Sequence, residues 1–104
     1  MVESAPKQFQ LTLLAIINLT ENKKVEKIYT GDVYNIYHDL CLRYKTETLT
    51  QRRISDIIAE MDMLGLINAR VISKGRYGRT REIKLSISPK TLNRIKKVLY
   101  ECLE

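Results

Sequence analysis

From Lys7 the apolar residues Phe9, Leu13, Ile16 and Ile17 recur at i, i+4, i+7 and i+8, and Leu14 widens the arc. This spacing predicts a helix that ends in the polar run Glu21-Asn22-Lys23-Lys24. Residues 25–29 read as a short extended piece. Thr30-Gly31-Asp32 is a turn and helix-start signal, and Val33, Ile36, Tyr37, Leu40, Cys41 and Tyr44 then follow helical spacing. The polar stretch 45–48 breaks that helix. Thr50 can cap a third, its hydroxyl accepting from the free N–H groups of the first turn. Ile54, Ile57, Ile58, Met61 and Leu64 form its apolar stripe, and Gly65 is a natural C′ residue because it tolerates the left-handed conformation.

Past Gly65 the period falls from 3.6 to 2. Ile67, Ala69 and Val71 alternate with Asn68, Arg70 and Ile72, and Ile83, Leu85 and Ile87 alternate with Glu82, Lys84 and Ser86. Gly75 and Gly78 between the two runs can close a hairpin. Ser88-Pro89 opens a last helix, where proline's missing N–H costs nothing, with Leu92, Ile95, Leu99, Cys102 and Leu103 as its stripe. Two helices joined by a short turn and followed by a β-hairpin spell a winged helix-turn-helix. The fold class is therefore α+β, mostly helical: a three-helix core, a hairpin wing and a C-terminal helix. Residues 1–6 read as a leader or linker remnant, and 7–104 as the domain.

The chain has 104 residues and a formal net charge of +6. The first 49 residues hold six basic and six acidic side chains, and residues 50–104 hold twelve basic and six acidic, so the whole excess sits in the second half. That asymmetry points to a polyanionic partner. No apolar run approaches the ~18 residues that span a bilayer, and residues 1–10 lack the pattern of a secretory signal. Cys41 and Cys102 show no CxxC spacing and read as small buried apolar side chains in a reducing cytoplasm.

Three constellations could carry chemistry. Arg52, Asp56 and Ala59 lie opposite the apolar stripe of the third helix, flanked by Gln51 and Ser55. A recognition helix needs this arrangement, since Arg can bridge guanine O6 and N7 and Gln adenine N6 and N7. The same residues also fit a solvated face with an Arg52–Asp56 pair. Next, Arg70, Lys74, Arg76, Arg79, Arg81 and Lys84 place six cations in fifteen residues against one acid, Glu82. With Tyr77 between the glycines, such a ribbon can approach phosphates or enter a minor groove, or it is simply a charged, soluble hairpin. Finally, Thr30, the helix N–H groups beside it and Tyr34 could grip a phosphate, or Thr30 could merely cap the second helix. Catalysis finds no foothold: His38 is the only histidine, and no GxxxxGK[ST] loop is present.

Gly31-Asp32-Val33-Tyr34-Asn35-Ile36-Tyr37, then Leu49-Thr50-Gln51-Arg52-Arg53-Ile54 through Leu64-Gly65-Leu66-Ile67, then Gly75-Arg76-Tyr77-Gly78-Arg79-Thr80-Arg81 resemble the C-terminal winged-helix domain of the archaeal origin-recognition and cell-division-cycle replication initiators. The resemblance covers nearly the whole chain. It implies a recognition helix in the major groove, contacting DNA through Thr50, Gln51, Arg52, Arg53 and Ser55. It also implies a wing in the adjacent minor groove, contacting DNA through Lys74, Arg76, Tyr77, Gly78, Arg79 and Arg81. In that family an AAA+ ATPase module precedes this domain. No such module is present here, so the chain is expected to be an excised domain without a cofactor of its own, ATP and magnesium belonging to the missing module.

The expected function is duplex DNA binding at replication origins, without enzymatic activity. The expected partners are origin DNA and other replication-initiation proteins, with no membrane, a monomeric state and a cytoplasmic, nucleoid-associated location. Two alternatives stay open. One is a stand-alone transcriptional regulator that dimerises through Leu92, Ile95, Leu99 and Leu103. The other is a winged helix used as a protein-interaction module.

Overall fold

A helix walled in on every side organises the molecule. In a computed structural model, which describes residues 6–73 and 79–103 and only the backbone of Arg79, α1 spans Lys7–Glu21. Every residue from Phe9 to Ile17 is buried, including the polar Gln10 and Thr12. The one-sided stripe expected for this helix is therefore too narrow. α2 (Thr30–Arg43), α3 (Gln51–Met63), α4 (Pro89–Leu103), β1 (Ile28–Tyr29) and β3 (Arg79–Leu85) all pack against α1, and a helix apolar nearly all round is one with no solvent face. Thr12 resolves its burial by donating its hydroxyl to the Gln8 carbonyl one turn back.

The third element, α3, follows its sequence signals except at Leu64, which its spacing puts in the stripe but which sits at the C-cap 49% exposed, outside the core. Thr50 is the N-cap, and its hydroxyl accepts the Arg53 N–H at 3.3 Å. Ile54, Ile58 and Met61 are fully buried. Gly65 follows at φ +79°, the left-handed conformation a C′ residue takes. The Ala69 N–H then donates to the Asp62 carboxylate, which ties the start of β2 (Ile67–Ser73) to the end of α3.

β2 and β3 pair antiparallel from Ile67↔Leu85 out to Ser73↔Arg79, and β1 adds to the far edge of β3, giving the order β1-β3-β2. Ile67 and Ile83 are buried, but the strands outrun the core, and Val71 on the same face as Ile67 is 54% exposed. α4 closes over α1: Leu99 and Leu103 are buried in the core, and Leu92 and Ile95 pack on it. The apolar stripe of α4 is thus occupied within the chain. Cys41 is buried as expected, whereas Cys102 is exposed, because its position on α4 falls beside the Leu99–Leu103 contact line. Among the described residues no helix is long and apolar enough to cross a membrane.

Candidate nucleic-acid interface

The N-terminal turn of α3 projects Thr50, Gln51, Arg52 and Arg53 into solvent, with Ser55 half-buried behind them. Their exposure follows from the register of the stripe: Ile54 and Ile58 occupy the core, so the residues preceding and opposite them must face outward. No ion pair joins Arg52 to Asp56. Among the described residues the side-chain ion pairs are Arg70–Glu82 and Lys96–Glu21. The two arginines of the first helical turn therefore carry their charge unneutralised.

A notch of about 330 Å³ separates this turn from the base of the wing, lined by Thr30, Gln51, Ser55, Val71, Thr80 and Arg81. Besides Val71 the lining residues carry hydroxyl, carboxamide and guanidinium groups, and none of the six is acidic. Such a lining donates hydrogen bonds and favours an anion. Strand pairing explains how the wing contributes. Val71 lies opposite Arg81, and both share the strand face that carries Ile67 and Ile83 deeper in. The face that is apolar in the core becomes the side of the wing turned toward α3.

The opposite wing face carries Arg70 and Lys84 around Glu82. Glu82 is nearly buried and accepts from the Arg70 guanidinium at 3.0 Å. The cationic character of the ribbon is thus divided: Arg81 stands free of acid beside the notch, while Arg70 is partnered. Lys74, Arg76, Tyr77 and Gly78 lie outside the described residues, and Arg79 is placed only by its backbone pairing with Ser73.

The capping role considered for Thr30 does not hold, and Tyr34 is engaged elsewhere. Thr30 is not the cap: Tyr29 is, and its N–H donates to the Asp32 carboxylate at 3.0 Å. The Thr30 hydroxyl instead accepts the backbone N–H of Arg81 at 3.3 Å, which joins α2 to the wing. Tyr34 cannot hold a phosphate, because its hydroxyl donates to the Leu49 carbonyl at 2.9 Å. Sequence periodicity alone did not assign Val71 to the notch, which it enters through its register opposite Arg81.

Comparisons with known proteins converge. The family described as the CDC6 C-terminal winged-helix domain matches residues 1–95. An ORC1-type DNA replication protein of Pyrococcus horikoshii is 53% identical over 89 residues, covering 86% of this chain and 21% of that protein. ORC1-type DNA replication protein 1 of Methanosarcina acetivorans is 44% identical over 102 residues, covering 97% of this chain and 24% of that protein. The chain therefore spans roughly a fifth to a quarter of the length of these relatives. Among solved structures, the Aeropyrum pernix ORC1 protein in complex with DNA is similar at a TM-score of 0.82 and 37% identity, over 96% of this chain and 25% of that one. Cdc6p of Pyrobaculum aerophilum has the same fold, with a TM-score of 0.75, 21% identity, and coverage of 98% of this chain and 26% of its own.

Proposed function

The chain belongs to the family of CDC6 C-terminal winged-helix domains, and from that premise we propose that it binds duplex DNA at replication origins as the winged-helix portion of an archaeal initiator. The recognition helix α3 enters the major groove through Thr50, Gln51, Arg52, Arg53 and Ser55. The wing meets the adjacent minor groove through Lys74, Arg76, Tyr77, Gly78, Arg79 and Arg81. The observation that carries this reading is the acid-free notch between Gln51 and Ser55 of α3 and Arg81 of the wing. A backbone running between two adjacent grooves passes such a seam, and phosphate contacts there set orientation while base contacts set preference. The DNA bound in the Aeropyrum pernix relative supports the same assignment.

The domain acts as a binding module without catalysis, monomeric, and associated with the nucleoid in the cytoplasm. ATP and magnesium act in the AAA+ module of the longer initiators, and the other initiation proteins are its remaining partners.

Fluorescence anisotropy with a labelled duplex of about two helical turns tests the proposal. With roughly 4 to 6 phosphates neutralised, log K falls against log salt with a slope of about −4 to −5. Arg81→Ala weakens binding to all sequences alike, whereas Arg52→Ala costs about 1–3 kcal/mol mainly on preferred sites. A slope near zero removes the DNA reading.

A further inference from the structure

Residues 46–50, which lead from α2 into α3, belong to no helix or strand. Lys45 opens this stretch at φ +53°, a conformation that turns the chain back on itself. Side chains from two other helices then hold its backbone. The Leu49 N–H donates to the Tyr37 hydroxyl at 2.8 Å, and the Leu49 carbonyl accepts from the Tyr34 hydroxyl at 2.9 Å. The Tyr37 hydroxyl passes its own hydrogen to the Gln8 carboxamide of α1, and the amide end of Gln8 donates to the Glu47 carbonyl at 2.8 Å. Both backbone groups of the residue immediately before the Thr50 cap are thus gripped from α2, and the grip is referred back to α1.

The rings and hydroxyls of these tyrosines do separable work. Tyr37 is fully buried, and its ring lies 5.8 Å from that of Tyr34, so apolar contact anchors both side chains whether or not they carry oxygen. The hydroxyls converge on a single residue. The axis of α3 is already held by Ile54, Ile58 and Met61 and, at its far end, by Asp62. Within the first turn the stripe reaches only Ile54, and Gln51 and Arg52 ahead of it project outward with no apolar contact of their own, among the described residues, to set their pose. Hydrogen bonds are directional, with a narrow range of distance and angle, and supply the constraint that apolar packing lacks.

We propose that Tyr34 and Tyr37, through Leu49, are positioning residues that fix the first turn of α3 so that Arg52 and the wing engage DNA together. The proposal rests on the DNA-binding reading above and adds to it the residues that aim the helix.

The test is a double-mutant cycle on the full chain, read by anisotropy with a duplex of about two helical turns selected for tight binding to the parent. Tyr34→Phe removes one hydroxyl and keeps the ring, so the chain stays folded, with a Tm within about 8 °C of the parent. In the parent, Arg52→Ala and Arg81→Ala each weaken binding by about threefold to tenfold. In the Tyr34→Phe background the Arg52→Ala loss shrinks below about twofold, while the Arg81→Ala loss is unchanged. The cycle is repeated with Gln8→Ala, which releases residue 47 and touches neither ring. Undiminished Arg52→Ala losses in both backgrounds overturn the proposal. So does an equal shrinkage of both arginine effects, which reports general loosening. If the parent binds no duplex, the DNA reading fails, and amide exchange in the free chain decides the positioning role. Faster exchange in Tyr34→Phe confined to residues 49–54 sustains it, and uniform or absent change overturns it.

Discussion

The hydroxyl of Thr30, on the first residue of α2, accepts the backbone N–H of Arg81 in the middle of β3 at 3.3 Å. β3 is the central strand, with β1 on one edge and β2 on the other, so its outward course past the β1 pairing begins at Arg81. Thr30 extends the anchorage of that strand by one residue and ties the wing to the helical body beside the notch.

Thr30 is almost fully buried. Thr30→Val keeps the shape of the side chain and leaves the Arg81 N–H facing a methyl group. The variant is expected to lose about 1–3 kcal/mol of stability. Urea denaturation reads this as a lower midpoint at constant slope; an unmoved midpoint would show that the bond contributes nothing.

Burial pushes the Tyr37 phenol up to about 12 from its ordinary 10, against the opposing pull of the Leu49 N–H. Between those values the unfolded chain has lost the phenolic proton and the native chain retains it. Native protein then binds more protons, so stability falls as pH rises through this window, by an amount on the order of 2–3 kcal/mol. Below pH 10 the contribution is fully present. Lys96, held up by its hydrogen bond to Glu21, titrates in the same alkaline region. The measurement is therefore the difference between the alkaline denaturation curves of the parent and Tyr37→Phe, in which only the phenol's share is missing. Parallel curves would contradict the assignment.

Glu82 neutralises the exposed guanidinium of Arg70. Glu82→Gln retains an acceptor and removes the charge, adding one to the net charge of +6. Since Arg70 is 74% exposed, stability changes by less than about 1 kcal/mol. Duplex affinity rises, and the salt slope steepens by about 1 if the released cation reaches a phosphate. An unchanged slope would place Arg70 away from the DNA path.

Gly65 and Gly31 respond oppositely to a methyl group. Neither has a neighbouring atom within 4 Å of a built Cβ, so packing does not decide the sign. Gly65 sits at φ +79°, and Gly65→Ala is expected to cost about 1–2 kcal/mol in backbone strain alone. Gly31 lies in the first turn of α2 without positive φ, and Gly31→Ala is expected to stabilise by about 0.4–1 kcal/mol. Calorimetric melting of the two variants checks both signs.

Much of the fold was legible because local signals agreed with tertiary packing. The Thr50 cap, the Ile54/Ile58/Met61 stripe and Gly65 delimit α3 without help from distant residues. Distant contacts decide what periodicity missed. α1 is buried all round because other elements surround it, a fact its own spacing only hints at in the run Leu11–Thr12–Leu13–Leu14–Ala15. Val71 has the right strand parity for the core but lies beyond its edge. The Tyr34 hydroxyl looked available for an anion, but the Leu49 carbonyl 15 positions on takes its hydrogen, whereas the Thr30 hydroxyl accepts an N–H 51 positions on and keeps its own hydrogen beside the notch. Arg52 and Arg53 were legible as candidate contacts because exposure follows directly from the stripe they oppose.

Enclosure of α1 separates two kinds of evolutionary freedom. A change inside α1 disturbs neighbours in every direction, so that sequence is under tight restraint. Gln51, Arg52 and Arg53 overhang the enclosure and support nothing beneath them. They can be exchanged without repacking, so the outward turn of α3 is free to vary while the chassis beneath it stays unaltered.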